Sequence, residues 1–406
     1  MTICSLIVPT RNRCDTLDFT LQTAVAINDD RLEIIVSDNA SDDATQEIVS
    51  AYPDSRIRYV NTGQRLGMSQ NWEFALSHAR GDWIGYIGDD DGILPDAIER
   101  LREIVADTGV EAVRARNAQY IWPALAEQAR GVLAVPMGGK VTVRDSRRAI
   151  HRVLHGIDHY STLPMLYHGG FAARTLIDRA RGQTGPFFRS RIPDVYSGIL
   201  LGHIAGKFAW SERPLAINGA SAHSTGTSQF TTSKNPGNGS PSSMFLSEDN
   251  IPFHEAIPLN RDGTIPKSLQ ILVFESWHQI RDLYPDIEEI DAMAQLKAIN
   301  QSAGRYTEIL GWLDDFATKN GLDPAVVAGV FKGERLRHFT WLSRRVWDGD
   351  WHSDFAPTET IANVADATRL AARVLASETK TATLPARNFV RKARRLGQRL
   401  TAKATT

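Results

Sequence analysis

Short apolar runs alternate with helical periodicity through the first hundred residues of the chain. The runs at residues 3–8, 32–36 and 83–87 have the length and composition of buried strands, and the run at 57–60 predicts a further strand. Between them, apolar residues recur every three or four positions, which is the spacing of one face of a helix. Repeated strand–helix units of this length connect by right-handed crossovers. They therefore predict an α/β fold built around a mostly parallel sheet.

A polar loop follows each of the four runs. In chain order the loops read PTRNR, SDNASDD, TGQRLG and GDDDG. Because ligands of open α/β sheets bind beyond the carboxyl ends of the strands, we expect the four loops to meet at one site. Ordinary turn chemistry is the alternative for each loop taken singly.

The last of these loops places three carboxylates side by side, on Asp89, Asp90 and Asp91. Neighbouring like charges repel unless a cation neutralises them, and a ligand set made only of oxygen suits Mg²⁺ or Mn²⁺. The alternative is a solvated acidic turn that caps the following helix. The triplet thus predicts either a divalent metal site or an acidic turn.

Beyond residue 105 the pattern predicts further α/β structure and then a helical C-terminal part. The predicted elements are strands at 111–116, 165–173, 207–210 and 215–218, an irregular insertion at 122–145 and a helix at 194–205. Residues 219–243 are crowded with Gly, Ser, Thr, Asn and Pro, which is typical of a mobile loop or a domain boundary. From residue 265 the apolar spacing is helical.

Composition and charge limit the partners that the protein is expected to bind and the compartment in which it is expected. A chain of 406 residues is long enough for two or three domains, and its net charge of -1 gives no global attraction to nucleic acid. Its two cysteines, Cys4 and Cys14, predict a reducing compartment without a disulfide framework. The sequence shows no basic leader and no apolar run of about 18 residues, so we expect a cytoplasmic protein.

The end of the sequence, residues 381–406, is strongly basic. Its basic residues include Arg387, Arg391, Lys392, Arg394, Arg395, Arg399 and Lys403. Phe389, Leu396 and Leu400 give it a weakly amphipathic helical face. The segment predicts either a peripheral contact with anionic lipid at the inner face of the cell membrane or a disordered basic tail.

Four stretches of the sequence carry a family resemblance through their order and spacing. They are SLIVPTRNR, EIIVSDNASDDAT, RLGMSQNWEFALSHARGDWIGYIGDDDGILP and RIPDVYSGILLGHIAGKFAWSERPLAI. Over about the first 220 residues the chain resembles the inverting family 2 glycosyltransferases with the GT-A fold. The resemblance implies a GT-A catalytic domain at residues 1–245, with a Rossmann-like sheet flanked by helices. An all-helical appendage at 246–380 and the basic tail at 381–406 would follow.

This resemblance implies transfer of a sugar, with inversion, from a nucleotide diphosphate donor to a hydroxyl of a saccharide or lipid-linked acceptor. A UDP-sugar donor, Mn²⁺ or Mg²⁺, and a role in cell-surface polysaccharide or glycolipid synthesis are the family's usual features. Two alternatives stay open: a polyprenyl-phosphate sugar synthase and a non-catalytic nucleotide-sugar-binding protein. A pyrophosphorylase would need a Gly-rich first loop, and PTRNR is not one. The helical appendage is a candidate for acceptor binding or for homo-oligomer formation.

The resemblance also implies roles for individual residues. Those implied at the donor nucleotide are Pro9, Thr10, Asn12, Asp38, Arg65 and Asp89. Asp194 falls where the family has its catalytic base, and a helix N-cap is the alternative role for it. Asp38 has the same capping alternative, and Arg65 has a plain surface position as its alternative. The loop at residues 219–243 would close over the bound donor.

The metal ligands implied by the resemblance are Asp90, Asp91 and His223. Counting back from Pro95 places Gly88 where the family has the first aspartate of its D-x-D motif. In that register Asp90 is the main metal ligand and Asp91 is a supporting or further ligand. An arrangement with Asp89 and Asp91 as the motif pair is the alternative, as is a simply exposed position for His223.

Overall fold

The computed structural model describes residues 2–123, 131–182, 185–224, 245, 248–266, 268–302, 308–333, 350–353 and 361–378. The strands in these residues are β1 Cys4–Thr10, β2 Leu32–Asp38, β3 Ile57–Asn61, β4 Trp83–Tyr86, β5 Gly92–Ile93, β6 Ala112–Ala115, β7 Ala118–Ile121, β8 Val132–Val135, β9 Val141–Asp145, β10 Gly170–Ala173, β11 Lys207–Ser211, β12 Ala216–Ala220 and β13 Trp351–His352. The helices are α1 Cys14–Val25, α2 Thr45–Ser50, α3 Met68–His78, α4 Ala97–Thr108, α5 Ser146–Leu154, α6 Arg174–Arg181, α7 Pro193–Ala205, α8 Leu269–Arg281, α9 Ala292–Ser302, α10 Glu308–Lys319, α11 Pro324–Gly333 and α12 Val364–Glu378.

The main sheet has eight strands in the order β3-β2-β1-β4-β10-β6-β11-β9. Strands β10 and β9 run antiparallel to their neighbours, and the other six point in the same direction. At its centre the sheet is covered on both faces, so Leu6, Ile7 and Val8 of β1 are fully buried. The predicted α/β fold, with a mostly parallel sheet flanked by helices, is confirmed. The four apolar runs that opened the sequence form β1 to β4.

A second, smaller sheet has the order β13-β8-β7-β12-β5. Strand β8 of this sheet and strand β9 of the main sheet both lie within residues 122–145. That segment was predicted to be an irregular insertion, so the prediction is wrong at both strands. The run VLAV in β8 is only four residues long and follows Gly131, which hid its strand character. Strand β13 adds two residues to this sheet from the part of the chain that was predicted to be helical throughout.

The C-terminal helices pack against the α/β part. Phe274 and Trp277 of α8 are fully buried, and the side chain of Gln270 donates a hydrogen bond to the carbonyl of Val153 at the end of α5. None of the described helices is long and apolar enough to cross a bilayer. The mobile loop predicted at residues 219–243 begins inside β12, and from residue 225 onward it lies outside the described residues, as does the basic tail at 381–406. The predicted domain boundaries stay predictions.

Helix α12 returns to the α/β part and packs behind the acidic triplet. Its residues Val364, Ala367 and Ala371 are fully buried. Just before the helix, the carbonyl of Ile361 accepts a hydrogen bond from the Tyr120 hydroxyl at 3.0 Å. A Cβ atom added to Gly92 would lie 2.4 Å from the hydroxyl of Thr368. The last described helix therefore fits closely against the residue that follows Asp91.

Candidate active site

A cavity of about 900 Å³ opens at the carboxyl ends of the parallel strands. All four predicted loops reach it, through Thr10, Asn39, Arg65 and Asp89 respectively. Eight of the residues singled out from the sequence line it: Pro9, Thr10, Asn12, Arg65, Asp89, Asp90, Asp194 and His223. Asp38 and Asp91 are not among the described residues that line the cavity.

Asn12 links the first two loops. Its φ is +50°, a left-handed conformation that asparagine adopts more readily than most residues. Its backbone N–H donates to the hydroxyl of Ser41, and its side-chain oxygen accepts a hydrogen bond from the backbone of Asp42. Asn12 therefore sets the shape of the cavity rim as well as lining it.

Asp38 is buried at the end of β2 and is turned away from the cavity. Its carboxylate accepts hydrogen bonds from the backbone of Ser41 and from the side chains of Tyr59 and Asn61. The N-cap of α2 is Ala44, so Asp38 does not cap that helix either. The structure thus does not bring Asp38 to the cavity, and it presents Asn39 there instead.

Asp89 is 2 % exposed and is paired with Arg13, whose Nη1 lies 2.9 Å from its Oδ1. Arg13 also donates to the backbone carbonyl of His223. Burial lowers the pKa of Arg13, but the charges of Asp89 and Asp90 outweigh burial and raise that pKa above its ordinary value. Arg13 therefore stays charged, and it neutralises one of the three carboxylates.

Asp90 lies in the cavity wall between two other carboxylates. Its Oδ2 accepts hydrogen bonds from the hydroxyls of Ser221 at 2.5 Å and Ser224 at 2.6 Å. Burial, and then the charges of Asp91 and Asp89, raise the pKa of Asp90 to about 6. Its negative charge is thus not fully neutralised by the groups around it, as is typical of a cation-binding carboxylate.

Asp91 points into the protein. Its Oδ2 accepts a hydrogen bond from the backbone N–H of Gly88 at 2.7 Å and lies 2.9 Å from Nε2 of His168, while its Oδ1 accepts from Gly219 at 2.8 Å. These partners occupy both oxygens, so Asp91 supports the loop from behind. The geometry favours the register in which Asp90 faces the cavity over the one that pairs Asp89 with Asp91.

Gly88 and Gly219 are sites of close approach around the triplet. A Cβ atom at Gly88 would lie 2.7 Å from the Tyr167 hydroxyl, so Tyr167 fills the space that an aspartate side chain would need there. A Cβ atom at Gly219 would lie 1.8 Å from the carbonyl oxygen of Asp90. The Trp122 indole donates to this same carbonyl at 3.0 Å. The backbone of Asp90 is therefore held from two sides.

His223 lies at the cavity wall, but its ring is turned toward Asp15. Its Nε2 is 3.1 Å from a carboxylate oxygen of that residue. Among the residues that the structure describes, His223 and the three aspartates do not form a cluster of three metal ligands. Magnesium sites commonly take only one or two carboxylates from the protein and fill the rest with substrate phosphates and water. The oxygen donors at this loop fit such a site.

Polar groups without partners line the cavity beside the first loop. The buried hydroxyl of Thr10 and the Nη1 atom of Arg11 have no hydrogen-bond partner among the described residues. Burial, and then the charge of Arg65, lower the pKa of Arg11. Arg65 lines the same cavity and is paired with Glu248, at 2.6 Å between Nη2 and Oε1. Arg11 and the unused hydroxyl form a surface suited to an anionic group such as a phosphate, which would compete with Glu248 for Arg65.

Asp194 lies in the first turn of α7, opposite the acidic loop. The N-cap of this helix is Ile192, so Asp194 does not take the capping position that was its alternative role. Its Oδ2 accepts a hydrogen bond from the Tyr160 hydroxyl at 3.0 Å. Burial raises the pKa of Asp194, and the bond from Tyr160 lowers it in part. A half-buried carboxylate with a raised pKa beside a cavity is typical of a proton acceptor in catalysis.

Arg114 holds the wall that carries Tyr160 and Tyr167. It is 1 % exposed and donates to the carbonyls of Ser161, Tyr167 and His168. Burial lowers the pKa of Arg114 to about 10, so it remains a cation. Sequence reasoning did not select it, although a charged residue inside the otherwise apolar strand β6 was a usable signal.

Comparison with known proteins finds a family similarity in the N-terminal part of the chain, which holds the first four strands and their loops. Residues 5–126 match the model of Glycosyl transferase family 2, which confirms the resemblance over that part of the chain. The succinoglycan biosynthesis protein ExoO of Rhizobium meliloti is 30 % identical over 107 residues, which are 26 % of this chain and 31 % of that protein. The Escherichia coli UDP-Glc:alpha-D-GlcNAc-diphosphoundecaprenol beta-1,3-glucosyltransferase WfaP is 31 % identical over 91 residues, which are 22 % of this chain and 36 % of that protein.

These matches leave most of each relative uncovered. The chain spans about a third of the length of the curated relatives it matches. Among solved structures, TarS of S. aureus in complex with UDP-GlcNAc aligns with 93 % of this chain and 92 % of that chain, at 12 % identity and a TM-score of 0.48.

Proposed function

We propose that this chain, whose residues 5–126 match Glycosyl transferase family 2, is a glycosyltransferase that moves a sugar from a nucleotide diphosphate to a hydroxyl with inversion. One observation carries the proposal: the buried carboxylates of Asp89 and Asp90 and the half-buried carboxylate of Asp194 line the same cavity as Arg11 and Arg65. Such a transfer needs a metal ligand, a phosphate-binding wall and a base. A UDP-sugar is our first choice of donor because the name of the relative WfaP specifies UDP-Glc.

The donor would lie along the loops that follow the strands. The diphosphate would meet the two cations of the first and third loops, Arg11 and Arg65, and the unpartnered hydroxyl of Thr10. Asp89, held by Arg13, would face the ribose. Asp90 would hold Mg²⁺ or Mn²⁺, which when bound would stabilise negative charge on the departing nucleoside diphosphate.

Asp194 would act as the base. The acceptor hydroxyl would lose its proton to this carboxylate as its oxygen attacks the anomeric carbon and the bond to the diphosphate breaks. Tyr160 would hold the carboxylate in position through the bond to its Oδ2. The raised pKa of Asp194 brings the group nearer to the pH at which it must accept a proton.

The acceptor would enter from the side that the C-terminal part forms. Leu269 and Leu272 of α8 line the cavity together with Phe245 and Met68. Because that side is apolar, it suits a lipid-linked sugar or the apolar face of a saccharide ring. We propose a role in the synthesis of a cell-surface polysaccharide or glycolipid, in the cytoplasm and at the inner face of the membrane.

Titration of UDP with and without Mn²⁺ tests the donor site, first on the wild type and then on Asp90→Ala. We expect metal-dependent binding that the variant loses. Asp194→Asn should keep this binding while turnover falls by roughly 10²–10⁴. If UDP, GDP, CDP and dTDP all fail to bind, the transferase proposal is wrong. Binding without turnover on any acceptor would indicate a non-catalytic binding protein, and transfer only to a polyprenyl phosphate would indicate a synthase.

A further inference from the structure

Two histidines and a glutamate meet at the surface where α5 adjoins the segment between α8 and α9. His151 lies in the last turn of α5, and His155 is the residue that ends this helix. Four positions apart on a helix, the two residues share a face, and their ring centroids lie 4.3 Å apart. Glu288 faces them from the other segment, with its Oε1 2.5 Å from Nδ1 of His151 and 3.9 Å from Nε2 of His155.

The geometry points to a zinc site formed by His151, His155 and Glu288. One potential ligand atom from each residue lies within 4.8 Å of the others. Ligands about 2.0–2.1 Å from a tetrahedral zinc ion are separated by roughly 3.3 Å, so the three side chains need only small rotations to close around an ion. All three side chains retain some exposure, which leaves them room for those rotations.

The ligand types separate this site from the acidic cavity. Two imidazoles and one carboxylate suit Zn²⁺ and other transition metals, whereas a site made only of oxygen suits Mg²⁺ or Mn²⁺. Three protein ligands leave the fourth position of a zinc ion to water or to an external group.

The backbone on both sides of the site is fixed. The carbonyl of Glu288 accepts a hydrogen bond from the Trp277 indole at 3.0 Å, and the flanking Ile287 and Ile290 are each only 4 % exposed. On the other side, Gln270 of α8 holds the end of α5. The ligands are thus positioned before an ion binds, and the ion would connect α5 to the segment that follows α8.

Zinc titration of the full chain, in excess Mg²⁺ and after treatment with chelator, tests the site. We expect the wild type to bind one Zn²⁺ and to melt at a higher temperature with it. His155→Ala is the decisive variant, because a simple ion pair of His151 with Glu288 does not need His155. Loss of a residue that only hydrogen-bonds to a metal ligand lowers metal affinity by roughly 10–100-fold, so loss of the ligand in His155→Ala should lower zinc affinity by at least about 100-fold.

Two further variants act as controls. His203 faces a single carboxylate, on Asp286 at 3.4 Å, so His203→Ala should leave zinc binding unchanged. Asp90→Asn should also keep it, because the acidic cavity is a separate site. The inference is overturned if the wild type binds no Zn²⁺, if His155→Ala binds it as tightly as the wild type, or if Asp90→Asn removes the binding.

Discussion

Replacing Asp90 by asparagine removes one buried charge from the cavity while keeping the size of the side chain. Burial and the neighbouring carboxylates raise the pKa of Asp90 from 3.8 to about 6. The folded protein therefore holds this proton more tightly than the unfolded chain does. Between about pH 4 and pH 6 the free energy of unfolding should fall as pH rises, because the folded state must then give up its proton.

The size of this effect follows from the shift of about two pKa units. At about 1.4 kcal/mol for each unit, the charged carboxylate destabilises the fold by about 3 kcal/mol above pH 6. Asparagine does not titrate, so Asp90→Asn avoids this loss. The difference in free energy of unfolding between the variant and the wild type should therefore increase by about 3 kcal/mol from about pH 4 to about pH 8, in favour of the variant. The variant should nevertheless lose donor binding.

Urea denaturation of both proteins at the two pH values, with chelator present, measures this gain. Comparing the change with pH cancels any constant effect of the amide on the hydrogen bonds from Ser221 and Ser224. As a control, Asp91→Asn should destabilise the protein at about pH 8, because its amide group cannot accept both backbone hydrogen bonds that Asp91 accepts. If Asp90→Asn gains no stability over this pH range, the charge of Asp90 is already neutralised and the argument for a cation there fails.

Three other predictions concern the groups around the cavity. Tyr160→Phe removes a hydrogen bond that lowers the pKa of Asp194, so the acidic limb of the kcat profile should move to higher pH, and an unmoved limb would show that Tyr160 does not influence the base. Gly219→Ala should lower the free energy of unfolding by about 3 kcal/mol and weaken nucleotide binding, because its Cβ would collide with the Asp90 carbonyl. Gly139→Ala should be close to neutral in urea denaturation, because a Cβ there meets nothing within 4 Å. Arg114→Met removes the guanidinium donor from three backbone carbonyls, of which that of Tyr167 keeps its bond from the Gly170 N–H, and should lower the free energy of unfolding by about 2–4 kcal/mol. Wild-type stability in this variant would show that the wall holds without the guanidinium.

The sheet and its loops were predictable because their signals are local. Each of β1 to β4 comes from a short, mainly apolar run, and each is followed by a polar loop. Once the strands are parallel, the loops must meet at one edge, which is why Thr10, Arg65 and Asp89 line one cavity. Strand β8 was missed because it is only four residues long, and β9 was missed because it pairs with β11, which lies far along the chain.

The direction in which a side chain points was the information missing from the sequence. Asp38 was expected at the cavity, but Tyr59 and Asn61 of the neighbouring strand bind its carboxylate. Asp91 follows Asp90 directly, yet the two face opposite ways because backbone amides at Gly88 and Gly219 hold Asp91 inward. Such contacts depend on the completed fold, so motif spacing alone did not separate ligands from supporting residues.

The partners of Asp89 and Asp194 were missed for the same reason. Arg13 and Tyr160 each bind a predicted site residue that is distant in sequence. Arg13 stood in the PTRNR loop from the start, and only the structure shows that it neutralises Asp89. The predicted roles of Asp194 and of His223 stay predictions, and Asp194→Asn tests the first of them.

The packing of α12 behind the acidic triplet also bears on how the protein is made. Ile93, Tyr120 and Val364 are fully buried where the second sheet meets this helix. The ribosome completes α12 about 250 residues after the family 2 segment ends at residue 126, a delay of roughly 10–50 s at about 5–20 residues per second. Throughout that interval the apolar surface that α12 will cover is exposed on the nascent chain. We therefore expect the emerging N-terminal part to need chaperone protection until the last helix docks.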